Sequence, residues 1–375
     1  MKRSYSAADI RARNFRIVFE LAKQKGEVLR PDISTYTGMT PPTVMKVVQS
    51  FLSRNILQNA GEVNTSLGRK PTKLVFNPNA AYAIGVLFEG NELRAGLVNL
   101  AGEIIDITKL SMAYTFSDEF KTKIISCISR LAESNRGPIL GVGLGVPGVV
   151  DTKKKIIAFA PLIGITTPYD CTQLCSEITG QTGLPVIIDN DVNLAAVGEF
   201  SVRKLTGSDD LLYISIGTGV GAGIMLNGKL RRGARYLAGE LGYAVKDTSY
   251  RVDREKPGWL ESQVGQKALM ERFNWQGYNK TSMLPEGMVD YLVDNLAPPV
   301  ANLVTQLDIK EIVIGGMAVD TIGETLRDKL QEKIDMLSLE KTNISLSICS
   351  DSGATGAAMA AIENNLDNWL NEREE

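Results

Sequence analysis

The stretch IIDNDVNLAA ends an apolar run with Asp189, Asn190 and Asp191 and then enters a helical pattern carrying Asn193. Carboxylates and an amide at a strand end and a helix start are where a cleft reads sugar hydroxyls. Asp191 would serve equally well as a helix cap. A second acid pair is Glu240 in AGELGY and Glu261 in GWLES. Taken singly, each reads as an ordinary surface glutamate. In GTGVGAG, Gly217, Gly219, Gly221 and Gly223 sit at a turn between two strand patterns. Bare backbone N–H groups there suit an anion or a sugar hydroxyl. A strand rather than a helix follows, so this is not the dinucleotide-binding fingerprint. The chain has no histidine, which argues against triads, imidazole proton shuttles and histidine-ligated zinc. The four cysteines form no C-x-x-C pair. Cys171 and Cys175 share one face of a predicted helix and read as buried small residues.

These residues need a scaffold, and the apolar pattern supplies one. AYAIGVLF, LRAGLVNL and EIIDITKL read as three successive strands. A helix at about 116–134, the strand ILGVGLGV, a turn at PGVVD, a helix near 172–182 and the strand LPVIID follow. The pattern then restarts with DLLYISIG, VGAGIML and a turn at Asn227-Gly228. Helices are predicted at about 259–273, 284–306 and 319–337, with strands EIVIGG and ISLSIC among them and a last helix from near Ser352. Two β-β-β-α units in tandem predict a duplicated α/β body with a cleft between two lobes. That is the actin/hexokinase-like (ribonuclease H-like) architecture.

The first eighty residues follow a different pattern. AADIRARNFRIVFELAKQKG reads as a helix with Ile17, Val18, Leu21 and Ala22 at helical spacing and Gly26 as its stop. A short helix starts near Pro31, and Gly38 marks a turn. Thr40 then caps a helix with Pro41 at its first position. Val44, Val47, Val48, Phe51 and Leu52 form the inner stripe of that helix, while Thr43, Lys46, Gln49 and Ser50 face outward. ILQNA and KLVFN read as a hairpin whose connection carries Arg69 and Lys70 between Gly68 and Pro71. Helix, tight turn, helix and basic hairpin are the elements of a winged helix-turn-helix. Residues 1–80 carry a net charge of +8 and the remainder −10, so the head is expected to meet a polyanion. The expected DNA contacts are Arg30, Thr40, Thr43, Lys46, Arg69 and Lys70.

TGMTPPTV, GRKP, VGLGVPGVVD, GLPVIIDNDVNLAAVGE, YISIGTGVGAGIMLNGKLRRGARYLAGELGY, GWLE, IVIGG and GATGAAMAA occur in this order. With them the chain resembles the ROK family (repressors, open reading frames, kinases). More narrowly it resembles the xylose- and N-acetylglucosamine-type repressors, which join a winged helix to a sugar-kinase fold. The resemblance implies that Asn190 and Asp191 bind sugar hydroxyls. Glu240 and Glu261 match further sugar-binding carboxylates, and Gly148 and Gly223 match backbone positions lining the sugar pocket. In family kinases the acid matching Asp191 is the general base of phosphoryl transfer.

The chain departs from that pattern twice. The kinases carry an Asp-x-Gly-Gly-Thr-type phosphate loop after the first strand. Here Leu87 stands in place of the Asp, and Glu89 and Asn91 replace small or hydroxylic residues. An anionic Glu89 would repel triphosphate. The family zinc site, a histidine after Gly-Glu and a cysteine-rich loop, is also missing. Tyr243 replaces the histidine, which in the family also touches the sugar, and Trp259 replaces the last cysteine. No zinc or other cofactor is expected, and the loop is expected to be held by packing at Tyr243 and Trp259.

The resulting expectation is a DNA-binding regulator, most simply a repressor, of carbohydrate-metabolism genes. A sugar or sugar-phosphate effector in the interlobe cleft would control its grip on operator DNA. Expected domains are residues 1–77, 78–190 with about 350–375, and 191–349. A homodimer or dimer of dimers is expected, in the cytoplasm, since no signal sequence or membrane span is legible. The alternative is an ATP-dependent sugar kinase with a regulatory DNA-binding head. A third class is a DNA-binding or scaffold protein that ignores sugars.

Overall fold

A reciprocal cap starts the first helix. Ser6 Oγ accepts the Asp9 N–H at 3.1 Å, and the Ser6 N–H donates to Asp9 Oδ2 at 2.9 Å. The computed structural model describes residues 6–62, 72–89, 92–112, 117–133, 136–278, 283–349 and 351–372, with the side chains of Glu62 and Glu89 excepted. Helix α1 (Ala7–Lys25) ends at Gly26 and buries Phe15, Val18, Phe19 and Ala22. Ile17 and Leu21 are only half-buried. The inward face is therefore rotated from the one expected, because Phe15 and Phe19 fill more space than the aliphatic residues. Strand β1 (Glu27–Leu29) was not anticipated; three residues show no period. Helix α2 (Arg30–Thr37) stops at Gly38, whose φ is +68°. Helix α3 (Pro41–Ser53) follows and buries Val44, Val47, Val48 and Phe51. Strands β2 (Leu57–Glu62) and β3 (Thr72–Phe76) complete an antiparallel sheet of order β1-β3-β2. Arg69 and Lys70 lie outside the described residues.

The body begins with β4 (Tyr82–Glu89), β5 (Glu92–Asn99) and β6 (Ile104–Ser111), paired antiparallel in succession. After α4 (Asp118–Ala132) comes β7 (Ile139–Val146), parallel to β4. The PGVVD segment, expected as a turn, enters a small sheet of β8 (Val149–Asp151), β9 (Ile156–Phe159) and β10 (Tyr169–Asp170). Helix α5 (Thr172–Thr182) leads to β11 (Val186–Asn190), parallel to β7, and α6 (Asp191–Val202) follows directly.

The second half repeats the plan. Strands β12 (Leu211–Ile216), β13 (Val220–Leu226) and β14 (Lys229–Leu230) are antiparallel neighbours. Helices α7 (Trp259–Val264), α8 (Gln266–Phe273) and α9 (Met288–Leu307) come next; Gly265 divides what read as one helix. Strand β15 (Glu311–Gly315), helix α10 (Val319–Leu337) and strand β16 (Asn343–Leu346) complete the sheet, with β15 and β16 parallel to its centre. The two five-stranded sheets run β11-β7-β4-β5-β6 and β14-β13-β12-β15-β16. Numbered within its own half, each has the order third, second, first, fourth, fifth, so the duplication is present in the topology.

Helix α11 (Ser352–Asn371) returns to the first sheet, where small residues let it lie close to β4, β7 and α6. Its far end reaches the N-terminal helices. Arg54 donates to the carbonyls of Leu370 at 3.0 Å and Trp369 at 2.6 Å, and its guanidinium lies 4.6 Å from the Trp369 ring centre. A cation on the last carbonyls of a helix also opposes its dipole. Arg16 bridges to Glu363 at 2.5 Å and to Asp367 at 3.2 Å. Phe15, Val18 and Phe51 of the head share one apolar cluster with Ile362, Leu366, Trp369 and Leu370. Among the described residues, no helix is long and apolar enough to cross a membrane.

Candidate functional site

Strand β11 and helix α6 meet at Asn190, and that junction floors a cavity of about 190 Å³. Asn190 Oδ1 accepts the Asn193 N–H at 2.9 Å, which caps α6, and Nδ2 donates to the Gly148 carbonyl at 2.9 Å. The amide thus ties β11 to the turn after β7 while still lining the cavity. Gly148 sits at φ +87°, and a Cβ there would strike Ala160 and the Phe159 carbonyl. Only glycine fits that backbone. Asp191 opens α6 and its Oδ1 accepts the Val192 N–H at 2.9 Å.

The opposite wall belongs to the second lobe. Glu261, on α7, accepts the Val220 N–H at 3.1 Å through Oε1. Glu240 precedes a short turn of helix at Leu241–Tyr243. Burial, then the charges of Glu261 and Asp191, push the Glu240 carboxyl up to about 7. Burial also raises Glu261, against the opposing Val220 N–H. Burial and the same two glutamates raise the Tyr243 phenol to about 12. Three carboxyl groups therefore converge on one small space, and the Glu240 carboxyl is present there in both its protonated and ionised forms near neutral pH. Such a set offers a neutral polyol both acceptors and a donor, together with backbone from the Gly217–Gly221 turn.

Gly148, Asn190, Asp191, Glu240, Tyr243 and Glu261 all line this cavity, and Gly223 does not. A Cβ on Gly223 would strike Ala196 and approach the Val192 carbonyl, so this glycine lets β13 lie against α6. Sequence reading passed over Arg232. Its Nε and Nη2 reach Asp189 Oδ2 at 2.7 and 2.6 Å, joining the strand end of one lobe to the loop after β14 of the other. Burial raises the Asp189 carboxyl, and the Arg232 charge opposes that shift. The only hint was the Arg231-Arg232 pair beside a predicted hairpin.

Leu87 is buried, with its branches against Gly145 and Gly353. A hydrocarbon thus fills the end of β4. Nearby, Arg94 reaches Glu92 at 2.6 Å and Asp351 at 3.2 Å, and Lys109 reaches Asp351 at 3.1 Å. Those cations are neutralised within the protein. Asn91 and the Glu89 side chain lie outside the described residues. The loop in place of the family zinc site is fixed in part by Tyr243, whose hydroxyl donates to the Lys256 carbonyl at 3.2 Å and whose ring meets Phe159 edge-on. Trp259 packs against the core of the second lobe.

In the head, Arg30, Thr40 and Lys46 are exposed and Thr43 is half-buried. The Thr40 hydroxyl lies 3.0 Å from that of Thr43 instead of capping the backbone.

Two repeated five-stranded lobes around an acidic cavity make up a sugar-kinase-like fold. The chain belongs to the ROK family, whose model matches residues 83–364. It is 27% identical over 264 residues to the xylose repressor of Bacillus subtilis (strain 168), covering 69% of this chain and 67% of that one. It is also 27% identical over 293 residues to a glucokinase of Halalkalibacterium halodurans, covering 69% and 86%. A solved ROK family transcriptional regulator, a homologue of the E. coli MLC protein, superposes with a TM-score of 0.73 at 21% identity. That match covers 96% of this chain and 98% of the other, so the fold likeness includes the head.

Proposed function

We propose that this chain is a transcriptional regulator whose DNA affinity is set by a sugar or sugar derivative in the interlobe cavity. Residues 1–77 form its winged helix-turn-helix, 78–190 with about 350–375 the first lobe, and 191–349 the second. Arg30, Thr40, Thr43 and Lys46 contact DNA, with Arg69 and Lys70 on the wing. Gly148, Asn190, Asp191, Glu240, Tyr243 and Glu261 hold the sugar.

The carrying observation is one chain that keeps an acidic sugar-sized cavity while Leu87 fills the position of the kinase Asp. Phosphoryl transfer needs positioning and charge neutralisation around the triphosphate, and a buried leucine offers neither. The repressor relative and the full-length fold match support the same reading.

A route for coupling is available. Helix α6 starts at Asp191 in the cavity and packs along α11. Glu199 on α6 accepts from Ser347 Oγ at 2.8 Å and from the Ile348 N–H at 3.0 Å, just before α11 begins. The end of α11 is held by Arg16 and Arg54 of the head. Lobe closure on a sugar would move α6 and α11 together and re-aim the heads of a dimer on operator DNA. The effect requires the sugar to bind the two arrangements unequally.

The second reading, an ATP-dependent sugar kinase, is favoured by the retention of Asp191 and by the glucokinase relative. One assay separates the two. ATP consumption across a panel of hexoses, pentoses and amino sugars is expected to stay at background. Turnover abolished by Asp191→Asn would replace the regulator with a kinase.

A further inference from the structure

The sugar cavity does not end at Tyr243. Gly239, Glu240 and Tyr243 line it on one side and on the other line a groove of about 800 Å³. Resting on the regulator reading above, we infer that the effector is a glycoside or disaccharide. One ring occupies the acidic cavity and the second lies in this groove.

The chemistry of the groove favours a neutral polyhydroxylated ring. Tyr243, Trp259 and Tyr291 supply aromatic surface, which suits the C–H face of a pyranose. Asn295, Asn302 and Gln306, all on α9, supply amides that both donate and accept. Pro298 and Pro299 stand in tandem inside α9 and line the groove. Proline has no N–H, so the carbonyls of Asp294 and Asn295 lack their helical donors. Both residues are on the groove wall. The Asp294 carboxylate is engaged by Lys333 at 2.8 Å, so that wall is not a strong anionic site.

The boundary itself fits a two-ring ligand. The first cavity, at about 190 Å³, is below the roughly 300–1,000 Å³ of drug-sized pockets and has the scale of one small ring. Tyr243 stands between the two spaces, held by its bond to the Lys256 carbonyl. Its position lets one molecule touch Glu240 from both sides of a glycosidic link.

The test is calorimetric titration of the full chain with glucose, xylose and N-acetylglucosamine, and with cellobiose, maltose, xylobiose and chitobiose. At least one disaccharide is expected to bind tenfold or more tightly than its own monosaccharide. Asn302→Ala, on an exposed helix face, should remove roughly tenfold of that gain and leave monosaccharide affinity unchanged. Gln306→Ala, also exposed on α9, should act the same way. If monosaccharides bind and no disaccharide binds tighter, the groove inference fails and the cavity reading stands. If no sugar of either kind binds, both fail. If Asn302→Ala and Gln306→Ala instead weaken self-association without changing disaccharide affinity, the groove belongs to a second copy and the inference is overturned.

Discussion

Glu240 concentrates the chemistry of the cavity in one group. Its carboxyl titrates near 7 in the folded chain, against an ordinary value of 4.5, because it is buried beside Glu261 and Asp191. The sign follows from linkage. A folded acid that holds its proton above its unfolded value loses stability as pH rises from about 4.5 through about 7. The full difference corresponds to about 3 kcal/mol. Glu240→Gln removes that cost, so it should raise the melting temperature at pH 8 and leave it nearly unchanged at pH 4, measured by calorimetry. If Glu240 holds the sugar as proposed, the same substitution should weaken sugar binding above pH 7, where the native carboxylate would accept hydroxyls. Part of this was readable from residue types: AGELGY and GWLES singled out both glutamates. Their convergence was not, because 20 intervening residues hide a contact that only the folded lobe makes. Arg232 on Asp189 was hidden for the same reason.

At the scale of elements, helical period and caps carried most of the reading. Val44, Val47, Val48 and Phe51 gave α3, and Thr40 with Pro41 gave its start. Short strands were lost: β1 has three residues, and β8 sits in a segment whose proline and glycine read as a turn. Such strands are defined by long-range pairing, which leaves no local period. The outward face of α3 yields a direct prediction. Lys46→Ala should weaken binding to all DNA sequences alike and flatten the log K versus log salt slope by about 0.9. Thr43→Ala should change sequence preference more than overall affinity, because early residues of a recognition helix reach base edges. Arg54 tests the contact between α11 and the head. Arg54→Ala removes the donor to the end of α11 and a cation over Trp369, at a cost of about 2 kcal/mol measurable by urea unfolding. Sugar and DNA should still bind this variant separately, with the influence of one on the other reduced at least threefold.

The whole molecule joins two kinds of surface through one core. The head carries a net positive charge and the rest a net negative one, so a polyanion would be drawn to the head. Phe15, Val18 and Phe51 nevertheless share a cluster with α11 of the body. Charge and periodicity separated head from body in the sequence, but nothing local revealed that the final helix would serve both. The duplication was legible because β4 with β5 and β12 with β13 each read as short-turn hairpins, whereas the order of strands in each sheet emerges only from the long-range pairing. On the proposed reading sugar occupancy sets DNA affinity, and that coupling is open to direct measurement. It is tested by fluorescence anisotropy of full-length protein on a DNA site selected from a random pool, titrated with and without saturating sugar. At least one sugar that binds the cavity is expected to shift the DNA dissociation constant by fivefold or more, within the usual range of allosteric coupling, without ATP. Sugar that binds tightly while DNA affinity stays constant would contradict it.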